Sequence, residues 1–393
     1  MRIVHAIATL SGTYGGPPKA CLETAQAVAA LGHEVSILTT DLGFPGRLDV
    51  PLDRPVDRNG VAVRYHRAVR PHFWGTSPAL ARALREAVPH ADVVHLHSLY
   101  FHHTMAAARL CVRFGVPYVL QPHGALDPYL FRRHRCRKLI AEAWFQNEAT
   151  RRAAAVQFTT GEEQSLAEPN TFGVPTVVVP IGLHPDDYAN LPPRGAFRAR
   201  HPAIGNRPIA LFLGRLNFKK GIDILIQAFA KATGAGLDAH LVLAGPDGGD
   251  RGLLESLIAD WGLRSRTTFT GMLVGEDKLA LLADADLFVL SSWTENFGIA
   301  VVEAMACGLP VAISNRVNLW RSVAEADAGW VAPVESGAFR DILFEALADP
   351  GRGRVKGARG RALVAERYAW ARIAPIQVQA YDSVLRVEDK RHE

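Results

Sequence analysis

Cysteine is scarce in this chain, with four in 393 residues: Cys21, Cys111, Cys136 and Cys307. None belongs to a C-x-x-C pair, which argues against a zinc ribbon or a disulfide scaffold and points to a reducing cytoplasm. No run of about 18 apolar residues occurs, so no membrane-spanning helix is expected. The opening stretch Met1–Leu10 is too short an apolar run for a signal peptide and reads as a buried strand. Neither G-x-G-x-x-G nor a Walker loop is present, so a dinucleotide or nucleoside triphosphate site has little support. An acidic excess is also lacking: 44 Lys and Arg face 39 Asp and Glu, a net charge of +5. That mild balance suits anionic ligands or an anionic membrane surface without requiring either. Aromatic platforms and a compact recognition motif for nucleic acid are missing, and no nucleic-acid partner is expected.

What is present is an ordinary globular composition, 48 % hydrophobic and 21 % charged, in a chain long enough for two domains. The first half alternates strands and helices. Strands are expected at Ile3–Leu10, Glu34–Thr40, Val61–His66, Asp92–His97 and Pro117–Gln121, and helices at Pro18–Leu31, Ser77–Ala87 and Phe101–Phe114. Repeated βαβ units imply a parallel sheet covered on both faces. The second half repeats the pattern from Pro208 to Ser314, a second doubly wound α/β domain. The proline- and arginine-rich stretch between them reads as a linker. The expected domains are 1–190, a linker at 191–207, and 208–365. The tail 366–393 is left as a helix.

Ser291–Pro310 carries the strongest chemical signal. Glu295 lies in a loop after an apolar strand, and Glu303 lies eight residues later within a short helix. Between them Asn296, Phe297, Gly298 and Ile299 form the helix start, whose free N–H groups and dipole attract phosphate. Two isolated glutamates are usually just solvated charges. Flanking an anion site, they suit a nucleoside diphosphate sugar. Upstream, Gly214–Asp223 follows a strand and opens a helix. Arg215 and Lys220 in that loop can hold a diphosphate and its developing charge without a metal, although alone the segment also reads as a solvated basic loop.

The spacing Glu295–Glu303, preceded 80 residues earlier by Arg215–Lys220, resembles the E-x7-E and R-x4-K signatures of the glycogen-synthase-like retaining glycosyltransferases, family four. The resemblance extends over nearly the whole chain and is tightest from Leu211 to Ser314. It implies a GT-B fold, two Rossmann-like doubly wound domains facing a central cleft, the first binding the acceptor and the second the nucleotide sugar. It also implies that the tail helix returns to the first domain. Carried onto this sequence, Glu303 binds ribose hydroxyls, Glu295 hydroxyls of the donor sugar, and Arg215 and Lys220 the diphosphate. Asn296, Phe297, Gly298 and Ile299 line the donor, with Asp247 and Met272 beside the base. Gly15 and Gly16, in Ser11–Pro18, bring backbone close to the diphosphate. His123, in Gln121-Pro-His-Gly124, contacts the transferred sugar; taken alone it reads as a hydrogen-bonded structural histidine. The catalytic group is then His123, Arg215, Lys220 and Glu295, with no metal and no cofactor besides the donor.

Two further features stay open. Val93–Ser98 puts His95 and His97 on one strand face, with His102 and His103 following. A metal site is conceivable there, but no acidic ligands are nearby, and histidines lining an acceptor pocket fit better. The basic stretch 130–152, from Leu130 through Arg132, Arg133, Arg135 and Arg137 to Arg151 and Arg152, mixes cations with Leu139, Ile140, Trp144 and Phe145. It can lie on an anionic membrane or pack its apolar stripe inward. The expected function is transfer from a UDP- or GDP-sugar to a saccharide, lipid-linked, in exopolysaccharide or O-antigen assembly, by a cytoplasmic enzyme peripheral to the membrane. A sugar-nucleotide epimerase, a phosphorylase or a non-catalytic scaffold on the same fold are the alternatives.

Overall fold

The computed structural model describes residues 1–43, 46–131 and 135–392. The chain divides into two compact units, Met1–Gly182 with Trp370–Glu393, and Leu183–Ala369.

Unit 1 is built on an eight-stranded sheet: β1 (Arg2–Thr9), β2 (Glu34–Thr40), β3 (Pro55–Asp57), β4 (Ala62–His66), β5 (Val93–His97), β6 (Tyr118–Gln121), β7 (Ala155–Phe158) and β8 (Thr176–Val178). The order is β3-β4-β2-β1-β5-β6-β7-β8, and only β3 runs antiparallel to its neighbour. Period-two alternation splits the strand residues between two cores. Val4, Ala6, Val94, Leu96 and Leu120 pack with Leu80 and Leu84 of helix Pro78–Ala87 and with Ala107 and Cys111 of helix His102–Phe114. Ile3, Ile7, Val93 and Val119 face the other way, toward Cys21, Ala25 and Val28 of helix Gly16–Ala29 and Tyr381 and Val384 of the C-terminal helix Trp370–His392. Every residue of β1 after the first is buried, as a strand covered on both faces requires.

Unit 2 has six parallel strands: β9 (Ile209–Leu213), β10 (His240–Ala244), β11 (Thr267–Gly271), β12 (Leu287–Leu290), β13 (Val311–Ser314) and β14 (Gly329–Ala332), ordered β11-β10-β9-β12-β13-β14. The order reverses between β9 and β12. In such sheets ligands bind beyond the carboxyl ends of the strands at the reversal. In unit 1 the equivalent reversal lies at β1 and β5.

The sequence placed most elements within one to three residues. β3, β7, β8 and β14 had no counterpart in it, being short strands of three or four residues. The stretch 191–207 is part of unit 2. It forms a helix at Ala196–Arg200 whose Phe197 is buried. The backbone N–H groups of Gly195 and Arg198 donate to Asp284, and Arg194 and Arg198 pair with Asp286. Arg194 and Arg198, in a stretch that reads as a linker, dock on these two acids. The chain instead passes between units at Gly182–Leu183 and at Ala369–Trp370.

Candidate functional site

The reversal in unit 2 gathers the charged residues that the sequence singled out. After β9 the chain turns through Gly214-Arg215 to Asn217, whose side chain caps the short turn Phe218–Lys220. Gly221 then takes a left-handed conformation, φ 61°, to start helix Ile222–Gly234. After β12, the Ser291 hydroxyl donates to the Gly221 carbonyl at 2.7 Å and the Trp293 N–H to the Lys219 carbonyl at 2.8 Å. A side chain at Gly221 would drive into the Ser291 carbonyl. These two loops are locked together, which sets Lys220 beside Glu295 as an ion pair with both side chains about 15 % exposed. Burial pushes the Glu295 carboxyl up, but Lys220, Lys219 and Arg215 outweigh it and hold the acid below its ordinary range. Arg215 keeps a buried Nε with no hydrogen-bond partner among the described residues. A buried, unmatched guanidinium N–H is costly and fits a site that waits for an anion.

The Glu295 backbone is fixed as well. Its N–H donates to the Arg316 carbonyl, and its carbonyl accepts from Asn318, both at 3.0 Å. Gly298, φ 83°, then caps helix Ile299–Ala306. A Cβ there would sit 3.1 Å from Val301 and 3.4 Å from Glu295 and Val317. Phe297 is buried, edge-on to Tyr368. Glu303 is 6 % exposed and accepts from the Tyr188 hydroxyl at 3.0 Å and from Lys278 at 3.1 Å. Nothing in the local sequence marks Tyr188 or Lys278 as partners; both reach Glu303 only through the fold. Asp247 spends one carboxylate oxygen on its own turn, accepting from Gly249 at 2.7 Å and Arg251 at 3.2 Å. Those backbone bonds hold its carboxyl below the usual range. Met272, after β11, is exposed.

In unit 1 the corresponding strand ends carry Gly15, Gly16 and His123. Gly15 adopts φ 122°, ψ −147°, a conformation open essentially to glycine alone, and starts helix Gly16–Ala29. Positive φ recurs along this edge at Ser98, Tyr100 and His123, the last at 52°. Such strain clusters where function demands a fixed geometry. Glu163 secures the His123 turn: one oxygen accepts from the Gly124 N–H at 2.8 Å, the other from the Thr159 N–H and hydroxyl at 2.7 Å. The sequence held only a faint sign of it, a Thr160–Glu163 capping spacing.

Behind His123 lies a histidine cluster. His95 and His97 do share a strand face, with rings 4.2 Å apart. His5 joins them from β1, directly opposite His95 in register. The signal in the sequence is a polar residue within the apolar run Ile3–Ala8 of β1. His97 Nδ1 is 3.0 Å from His123 Nε2, His97 Nε2 is 2.9 Å from His5 Nδ1, and Tyr381 meets His95 Nδ1 at 2.7 Å. Burial lowers His5 and His123 to about 3 and drives His95 and His97 well below the usual range. His5, Cys21 and His97 bring potential ligand atoms within 4.8 Å of one another. The 2.9 Å between His5 and His97 is hydrogen-bond spacing, and burial pushes the Cys21 thiol far up, which disfavours the thiolate a metal needs.

In the basic stretch 130–152, Arg132, Arg133 and His134 lie outside the described residues. Helix Arg135–Ala141 runs into a π turn at Glu142–Gln146. Ile140 and Trp144 are exposed, Leu139 nearly half so, and Trp144 meets Trp74 at 5.5 Å. Phe145 packs inward. No described helix is long and apolar enough to cross a membrane.

Two family signatures match the two units in turn. "Glycosyl transferase 4-like domain" covers residues 15–184, and "Glycosyl transferases group 1" covers 193–361. The chain is 29 % identical over 394 residues to an uncharacterised glycosyltransferase of Methanocaldococcus jannaschii, spanning 95 % of both chains. It is 30 % identical to a GDP-mannose-dependent alpha-(1-6)-phosphatidylinositol dimannoside mannosyltransferase of Mycobacterium tuberculosis, over 95 % of this chain and 94 % of that one. Among solved structures, sucrose-phosphate synthase from Thermosynechococcus elongatus superposes with TM-score 0.81 at 22 % identity, over 98 % of this chain and 100 % of that one. Anabaena HepE in complex with UDP-glucose gives 0.77 at 20 %, with the same coverage. Paired α/β units of these topologies, matched over their length, place this chain in the GT-B glycosyltransferases with group 1 and family-four-like domains.

Proposed function

We propose that the enzyme transfers a sugar from a nucleoside diphosphate sugar to a saccharide acceptor, with retention of configuration and without a metal. The observation that carries this is the convergence of Arg215, Lys220, Glu295 and Glu303 at the strand reversal of unit 2, with Arg215 Nε buried and unmatched. The donor diphosphate is assigned to Arg215 and Lys220, the sugar hydroxyls to Glu295, and the ribose hydroxyls to Glu303. Asn296, Phe297, Gly298 and Ile299 supply the helix start, Asp247 and Met272 border the base, and Gly15 and Gly16 approach the phosphates. HepE, of the same fold, is described with UDP-glucose, and the mycobacterial relative uses GDP-mannose; both bases stay in the test.

In the transfer, the bond from the anomeric carbon to the phosphate oxygen breaks and the bond to the acceptor oxygen forms on the same face. The acceptor proton passes to the departing phosphate oxygen. Charge grows on that phosphate, and Arg215 and Lys220 neutralise it. Lys220 must turn from Glu295 toward the diphosphate, which leaves Glu295 ready to accept from sugar hydroxyls.

The acceptor we assign is lipid-linked, met at an anionic membrane surface through residues 130–152. The exposed Ile140 and Trp144 support this, as does the relative that acts on a phosphatidylinositol dimannoside. The test is release of free nucleoside diphosphate from a panel of UDP-, GDP- and other nucleotide sugars, without and with membrane lipid extract. One donor cleaved faster with extract supports the full reading. Formation of a sugar phosphate from added phosphate would replace it with a phosphorylase, and a new sugar nucleotide with an epimerase. Indifference to anionic liposomes at low salt would remove the membrane part.

A further inference from the structure

His97 uses both ring nitrogens: Nδ1 lies 3.0 Å from His123 Nε2, and Nε2 lies 2.9 Å from His5 Nδ1. The Tyr381 hydroxyl follows, 3.5 Å from His5 Nε2 and 2.7 Å from His95 Nδ1. His5, His95, His97 and Tyr381 are at most 0 % exposed to solvent. Among the described residues no carboxylate or cation is bonded to these rings. His123 alone reaches the edge of the sheet, and its Nδ1 has no protein partner among the described residues.

A neutral imidazole carries one N–H and one lone pair, so each ring in such a chain must donate at one end and accept at the other. Suppose His5 Nδ1–H donates to His97. Then His97 carries its proton on Nδ1 and donates to His123, whose own proton must also sit on Nδ1. Reversed, all three protons sit on Nε2. The rings therefore share one tautomer. In the first arrangement His123 shows an N–H outward; in the second it shows a lone pair.

We propose that His97, backed by His5, is a positioning residue for His123: the buried His5–His97–His123 chain fixes which face, donor or acceptor, His123 presents to the transferred sugar. This deepens the glycosyl-transfer reading and rests on it for the role of His123. The depressed basicity of all three rings keeps them neutral at neutral pH, which the argument needs. The strained His123 backbone and the Glu163 clamp on Gly124 keep the ring in line with the chain.

The experiment is imidazole 15N NMR of the full-length protein at neutral pH, with rings assigned by single substitutions. The expected result is one shared tautomer for His5, His97 and His123. In His97→Phe, His123 should become a mixture of both. That variant should lose about tenfold in kcat, a fraction of the roughly 10²–10⁴ that a well-placed imidazole supplies, with nucleotide affinity unchanged. His97→Gln, whose amide can accept at one end and donate at the other, should recover most of the loss. Unlike tautomers in the wild type would overturn the proposal, as would a metal ion retained on His5, Cys21 and His97, or a His97→Phe variant with unchanged His123 and kcat. If His97→Phe does not fold, the wild-type spectrum decides alone. Absence of donor cleavage by the wild type would fell the transfer reading, while the spectrum would still judge the chain.

Discussion

At the strand ends of unit 2, charges face charges: Lys220 meets Glu295, and Lys278 meets Glu303. At the strand ends of unit 1, neutral rings face neutral rings, His123 on His97 and His97 on His5. Both edges sit where strand order reverses, so the fold offers the same crevice twice. The chemistry placed there differs. A charged edge can hold an anion and absorb the charge it develops. A neutral edge can orient hydroxyls by hydrogen bonds alone.

The comparison breaks most sharply at Lys220. Lys220→Ala removes the cation that pairs with Glu295 and that we assign to the leaving phosphate. Transfer should slow by about 10²–10³, as when one preorganised transition-state donor is lost, with steady-state nucleotide release as the readout. A rate within a few-fold of wild type would dissolve the charged-edge picture.

Acid tests the neutral edge. In the unfolded chain a histidine binds its proton near 6.5, whereas the folded protein holds His5 and His123 to about 3. Between those values the unfolded state carries more protons, so stability falls as the pH drops through that window. For these two rings the loss from pH 7 to pH 5.5 is about 2.5 kcal/mol. Thermal unfolding at the two pH values measures it, and His5→Phe should flatten the dependence. An equal slope in that variant would mean that His5 is not held neutral.

Glu303→Ala should weaken nucleotide binding about tenfold, the scale of a hydrogen bond to a charged group. Titration calorimetry with UDP and GDP would read it. Since Lys278 and Tyr188 already hold Glu303, Tyr188→Phe should have a smaller effect in the same direction. The smallest change expected is Gly298→Ala, about 1 kcal/mol of stability from the left-handed backbone and the close Val301 contact. An unchanged midpoint in denaturant would show that the loop relaxes freely.

Reading residues in order fixed much of this protein. The alternation of apolar runs gave two doubly wound units, because strand and helix periods are local properties of the chain. Arg215, Lys220, Glu295 and Glu303 stood out because two short loops next to strands carry them at set spacings. Tertiary structure alone decided the rest. Short strands such as β7 and β8 hold too few residues to show a period. Residues 191–207 have the composition of a linker, yet Asp284 and Asp286, some 90 positions later, tie them to unit 2. Tyr188, Lys278 and Glu163 became site residues because of what packs beside them. The histidine chain is the clearest case: His5, His97, His123 and Tyr381 are spread from the first strand to the last helix. Only the register of a parallel sheet, with the C-terminal helix laid on the same face, brings these four rings within hydrogen-bond reach.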